Sequence, residues 1–169
     1  MKKYITSMLL LLGVVCSAYA QQCRLVSDVE LLNTNGKVAT IPYFGSRNLL
    51  IFYVDPDRIG QNDAFIQELR GNQKLSNKEL FGMTILSAKD APNVPERLLY
   101  KIATKRAEIT GSQFFIDPDL RIVSSWRLGE SNDLSTIIIV SKRGELLFMN
   151  KGKISEEDKA RFYRVMDGL

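Results

Sequence analysis

Two Asp-Pro-Asp triplets, Asp55-Pro56-Asp57 and Asp117-Pro118-Asp119, are the residues whose type and spacing invite chemistry. Each closes an apolar run, residues 49–54 in the first case and 114–116 in the second. If both runs are strands of an open α/β sheet, their carboxyl ends lie on the side where ligands usually sit. Asp55, Asp57, Asp117 and Asp119 are therefore the candidate binding residues, for a cation or a basic partner. The same residues also have a plainer use, because Asp and Pro are ordinary turn formers and an Asp carboxylate caps the amides that open a following helix. The plainer use weighs more, since a divalent ion needs further oxygen ligands that this spacing does not specify. Histidine is absent from all 169 residues. That removes the side chain most used for acid–base work near neutral pH and every His-ligated metal site, so the sequence specifies no catalytic residue, no metal ligand set and no cofactor.

Sulfur chemistry is equally restricted. The two cysteines are Cys16 and Cys23. Residues 1–20 read as an export signal: Lys2 and Lys3 precede an apolar stretch over residues 5–15, and Ala18-Tyr19-Ala20 is a small-x-small cleavage site. The apolar stretch is too short for a membrane span, and neither cysteine follows the small residue that a lipoprotein acceptor wants. Cleavage after Ala20 removes Cys16 and leaves Cys23 as a free thiol, which has no partner for an intrachain disulfide in an oxidising compartment. It can pair two chains, although a free cysteine on a frayed end is the simpler reading. The expected product is a soluble periplasmic or secreted protein with no integral membrane span, carrying 21 basic and 19 acidic residues. That near balance gives no case for a nucleic-acid partner.

Composition supports one folded unit. Apolar residues make up 45% and charged residues 25%, and no repeat, low-complexity tract or Pro/Ser linker divides the chain, so residues 21–169 are read as a single domain. Two short apolar runs around Asn35-Gly36 predict an N-terminal β-hairpin. Residues 49–54 form an unbroken apolar run, the mark of a strand covered on both faces. Helical spacing follows over residues 62–69, a strand over 83–86, and a longer helix after Pro95. Residues 114–116 predict a strand and residues 120–128 a short helix. A second hairpin, residues 136–140 and 145–149, turns at Ser141-Lys142-Arg143-Gly144. Ser155-Glu156-Glu157-Asp158 reads as a capping box, with Asp in place of the usual Glu or Gln, opening a terminal helix. Lys101, Lys105 and Arg106 form a basic stripe that Glu96 and Glu108 dilute, read as a solvated helix face. Trp126 is read as a core residue, with a pocket shared with Phe114 and Phe115 as the alternative.

This order of elements resembles the thioredoxin-like fold: a central mixed sheet flanked by helices. More narrowly, residues 24–169 are similar to the YtfJ family of exported thioredoxin-like bacterial proteins, above all in residues 112–117, 126–128 and 152–157. The resemblance implies where a redox site would lie. Thioredoxin-type exchange needs a Cys-x-x-Cys just after the strand at residues 49–54, where the helix N-terminus lowers the thiol pKa. Asp55, Pro56, Asp57 and Arg58 stand there instead. Redox-active relatives also place a cis-proline before the strand that matches residues 136–140, where this chain has Leu134 and Ser135. The expectation is a non-redox binding or accessory module whose partner is an unspecified protein or small ligand.

Two alternatives remain open. In form, residues 50–57 are similar to the opening strand of haloacid-dehalogenase-type phosphatases, in which the first Asp attacks phosphorus and the second serves the leaving group. Asp55 and Asp57 would take those roles with magnesium, but Ile59 replaces the usual Thr or Val and Asp133 alone stands for the downstream acidic pair. The other alternative is a thiol-linked redox partner acting through Cys23, including a disulfide-linked dimer.

Overall fold

The computed structural model describes residues 24–72 and 80–169. The expected export signal and Cys23 lie outside them. Eight strands form one mixed sheet: β1 (Arg24–Leu25), β2 (Leu31–Asn33), β3 (Val38–Ala39), β4 (Asn48–Val54), β5 (Leu80–Ser87), β6 (Gln113–Asp117), β7 (Ser135–Val140) and β8 (Glu145–Lys151). Their spatial order is β1-β8-β7-β4-β5-β6-β2-β3. The helices are α1 (Asp63–Gly71), α2 (Glu96–Thr110), the short α3 (Arg121–Ser125) and α4 (Glu156–Asp167).

The unbroken apolar run of β4 has the expected cause. The strand is central, parallel to β5 and antiparallel to β7, and residues 49–54 are all buried. Leu50, Phe52 and Val54 face a core completed by Phe65 and Leu69 of α1, Leu99 and Ala103 of α2, and Phe162 and Met166 of α4. Leu49, Ile51 and Tyr53 face a second core with Leu31, Ile41, Ile122, Trp126 and Leu128. Fully burying such side chains contributes about 1.5–3 kcal/mol each. The sheet is therefore a shared wall between two apolar layers.

Both predicted hairpins form. β2 and β3 pair across a loop in which the Asn33 carboxamide oxygen accepts the amides of Asn35 and Lys37, and Gly36 adopts φ +73°. This hairpin joins the sheet through β6, at the far edge from β1. The β7–β8 hairpin does more than flank the middle, because β7 inserts directly beside β4. At its turn Gly144 has φ +78°, and a side chain there would meet the Val26 carbonyl at 3.1 Å. That same stretch receives β1, since the Val26 amide donates to the Gly144 carbonyl. Trp126 is core, on the Phe115 face; Phe114 lies on the opposite face of the sheet. Its indole N–H donates to the Ser27 carbonyl at 2.7 Å. Among the described residues no helix is long and apolar enough to cross a membrane.

Candidate functional site

The carboxyl ends of β4, β5 and β6 lie along one rim, joined there by the amino end of β7. Asp55 follows β4 and begins a single 3-10 turn over Pro56–Arg58, with Pro56 in the first position, where its missing N–H is no loss. One Asp55 carboxylate oxygen accepts the Asp57 amide at 2.8 Å. The other accepts the Asp133 amide at 2.7 Å, and the Asp55 amide donates to the Leu134 carbonyl. A buried carboxylate therefore joins the end of β4 to the segment that enters β7. Neighbouring groups repeat the tie. Gln61 accepts the Ser135 amide at 2.8 Å, and buried Asn62 donates to the Gly152 carbonyl and accepts the Ile154 amide. On the surface Arg58 and Asp133 pair at 2.9 Å.

Asp117 plays a matching part at the end of β6. Its carboxylate accepts the amides of Asp119, Arg121 and Ile122, and the Tyr53 hydroxyl at 3.2 Å. The Arg121 and Ile122 amides open α3, so a residue on the preceding strand caps that helix. Burial, with Asp117 alongside, pushes the Tyr53 phenol far above its ordinary pKa, which keeps the hydroxyl a donor. Between these two ends, Asp90 accepts the hydroxyls of Ser87 and Ser131 at 2.7 and 2.8 Å.

The four candidate residues thus divide into two pairs. Asp55 and Asp117 are buried and bind the amides of their own turns, Asp55 also the Asp133 amide and Asp117 also the Tyr53 hydroxyl; Asp57 and Asp119 are exposed beside them. β5 separates the two strand ends, a spacing of roughly 10 Å at ordinary strand separation. Among the described residues, no group of three or more acidic or cysteine side chains could hold a metal ion. Asp119 lies 3.5 Å from Arg121 in an exposed pair. The plainer use of the triplets is what the hydrogen bonds display. Asp55 has little access for attack on phosphorus, being 1% exposed with an amide on each oxygen.

Sequence reading missed Asp90, Gln61, Asn62 and Tyr53, and weighed Asp133 only as an acidic ligand of the phosphatase alternative. Asp90 had a signal: Ser87-Ala88-Lys89-Asp90 is a third acidic bend after an apolar strand. The others are brought in by contacts between residues far apart in sequence, as with Asp55 and Asp133.

No family model and no curated protein matches this sequence. Solved structures do. A thiol-disulfide oxidoreductase from Bacteroides fragilis is 17% identical, with a TM-score of 0.59 over 85% of this chain and 99% of that one. The exposed lipoprotein thioredoxin of Streptococcus pneumoniae is 13% identical, with a TM-score of 0.56 over 83% of this chain and 99% of its own. BsSco, of the Sco family of cytochrome c oxidase assembly proteins, gives 13% and 0.54 over 86% and 94%. The chain has the thioredoxin-like fold. Its sequence has no Cys-x-x-Cys, and the turn after β4 carries Asp55, Pro56, Asp57 and Arg58.

Proposed function

We propose that this protein is an exported thioredoxin-like binding or accessory module without redox catalysis. Export rests on the signal pattern of residues 1–20, with residues 21–169 as one domain in the periplasm or outside the cell. A kinship with the YtfJ family belongs to the same proposal and rests on residues 112–117, 126–128 and 152–157.

One observation carries the reading. The buried Asp55 carboxylate, bonded to the amides of Asp57 and Asp133, fills the turn where a thiolate would have to stand. A carboxylate with an amide on each oxygen neither carries electrons nor exchanges bonds with a disulfide. What the turn offers to a partner is its outer surface: exposed Asp57, the Arg58–Asp133 pair and, further along the rim, Asp119.

The test uses three assays. With dithiothreitol as reductant, the purified protein should reduce insulin disulfides no faster than dithiothreitol alone. Turnover above that background would overturn the reading. With magnesium and a simple phosphate monoester there should be no hydrolysis; hydrolysis that disappears in Asp55→Asn would establish the phosphatase alternative. Thiol trapping in the native compartment addresses Cys23, and a mixed disulfide there would favour the redox-partner alternative.

A further inference from the structure

Gly82 interrupts the apolar face that β5 turns toward the helices. It pairs in register with Leu50 of β4 and lies one residue before the pairing with β6 begins, at Met83 and Gln113. Glycine weakens a strand interior, and there it often marks a place that something else approaches closely. Gly82 has no positive φ to explain it, and among the described residues a Cβ built on it would meet nothing within 4 Å. It is nonetheless exposed, on the face that α1 and α2 are supposed to cover. The gap is a cavity of about 250 Å³ between those helices and the sheet.

The lining has two characters. Leu50, Phe52 and Phe114 provide an apolar floor, with Ile66 of α1 above it. A closed apolar cavity of about 150 Å³ is enough for benzene, so this one has room for a ring with a substituent or for a short acyl chain. Arg70 and Arg106 also line it, from α1 and α2. Arg106 reaches Asp63 by a single loose contact at 3.5 Å, and Arg70 touches only the Ser112 hydroxyl, at 3.4 Å, among the described residues. Two guanidiniums against one carboxylate leave a net positive charge beside an apolar floor. A guanidinium presents a planar fork of donors that matches a carboxylate. Arg106 therefore departs from the solvated basic stripe: Lys101 and Lys105 are exposed, while Arg106 is half-buried.

We propose that this cavity binds a small monocarboxylic acid with an aliphatic or aromatic body. The body lies on Leu50, Phe52 and Phe114 in the space left by Gly82, and the carboxylate meets Arg70 and Arg106. One end of the cavity reaches Val54, Ile59, Asn62 and Ser135 beside the Asp55 turn, but the groups proposed to hold the acid are Arg70 and Arg106, so redox activity at that turn would leave the proposal standing.

Octanoate is the probe, titrated into the purified protein by calorimetry, with hexanoate and octan-1-ol as comparisons. Saturable octanoate binding is expected, about fourfold tighter for each methylene added until the cavity is full. Octan-1-ol should bind about tenfold more weakly than octanoate, and Arg70→Gln with Arg106→Gln should erase that difference. Gly82→Val should raise the urea midpoint, because valine suits a strand and has open space, while weakening octanoate; Gly82→Phe should abolish binding. Circular dichroism checks that each variant folds, and the arginine pair tests the site without touching the strand. No saturable binding, equal affinity for acid and alcohol, or binding indifferent to Gly82→Val would each overturn the proposal. So would a stabilised Gly82→Val in a protein that never binds octanoate, since the space would then be closed by the chain's own residues.

Discussion

Asp117 shows how much one side chain can organise when its lone pairs face backbone amides. It terminates β6, caps α3 and receives the Tyr53 hydroxyl, all while buried. Removing the carboxylate leaves those donors in a site that water enters poorly, and hydrogen bonds to charged groups contribute about 1.5–3 kcal/mol each. Asp117→Ala should therefore lower stability by about 3 kcal/mol, read as a lower urea midpoint at unchanged slope. Asp117→Asn keeps one acceptor oxygen and should fall between the two. A midpoint for Asp117→Ala equal to that of the unaltered protein would show that the turn is held by its backbone alone. Asp57 and Asp119 are the control residues. Both are exposed, so alanine at either should leave the midpoint within about 0.5 kcal/mol.

Helix α4 is the element in which local sequence signals and observed contacts agree most closely. The Ser155 hydroxyl accepts the Asp158 amide at 3.1 Å and donates to the Asp158 carboxylate at 2.8 Å. The aspartate thus completes the box through the hydroxyl it faces, with Asn150 and Arg161 as further donors. The Ser155 hydroxyl, and after it Arg161, hold the Asp158 carboxyl below its ordinary pKa. A carboxyl lowered by folding stabilises the native state at any pH above its unfolded value of about 3.9 and loses that effect as pH falls through the folded value. The urea-midpoint gap between the protein and Asp158→Asn should accordingly be widest near about pH 6 and narrow as the pH falls below about 3.9. A gap that does not change with pH would mean that the carboxylate charge is irrelevant to the cap. Ser155→Ala should cost about 1 kcal/mol. This helix was legible because a cap acts within four residues, and β4 was legible because burial on both faces leaves an unbroken apolar run. β1 was not, since Arg24–Leu25 becomes a strand only through Leu146 and Glu145 of β8. Gly82 was silent for a related reason: sequence shows a glycine in an apolar run, and only the packing of α1 and α2 reveals the space above it. The rim was half legible, as Asp55 and Asp117 announce their turns while Asp133 arrives through a loop joined to β7.

The whole molecule is one sheet between two unlike layers, and that shared wall makes a prediction about cooperativity. On one side, α1, α2 and α4 supply most of the helix. On the other, among the described residues, only α3 and irregular segments cover the sheet, and Trp126 is buried among them. Trp126 is the sole tryptophan, so its fluorescence reports the thinly covered layer, whereas far-ultraviolet ellipticity is dominated by the helices of the opposite layer. Independent layers would lose the Trp126 signal first. The strands argue otherwise, because alternate residues of β4 belong to opposite cores and neither layer can dissolve without exposing the strand that anchors the other. The two signals should therefore share a single urea midpoint. Phe162 gives the stronger form of the test. It lies in the helical layer, edge-on to Phe65 and Phe148, and is fully buried. Phe162→Ala should cost about 3–5 kcal/mol. It should also move the Trp126 midpoint as far as the ellipticity midpoint, although the sheet separates the two side chains. A variant in which ellipticity moved and Trp126 fluorescence stayed in place would divide the protein into two folding units.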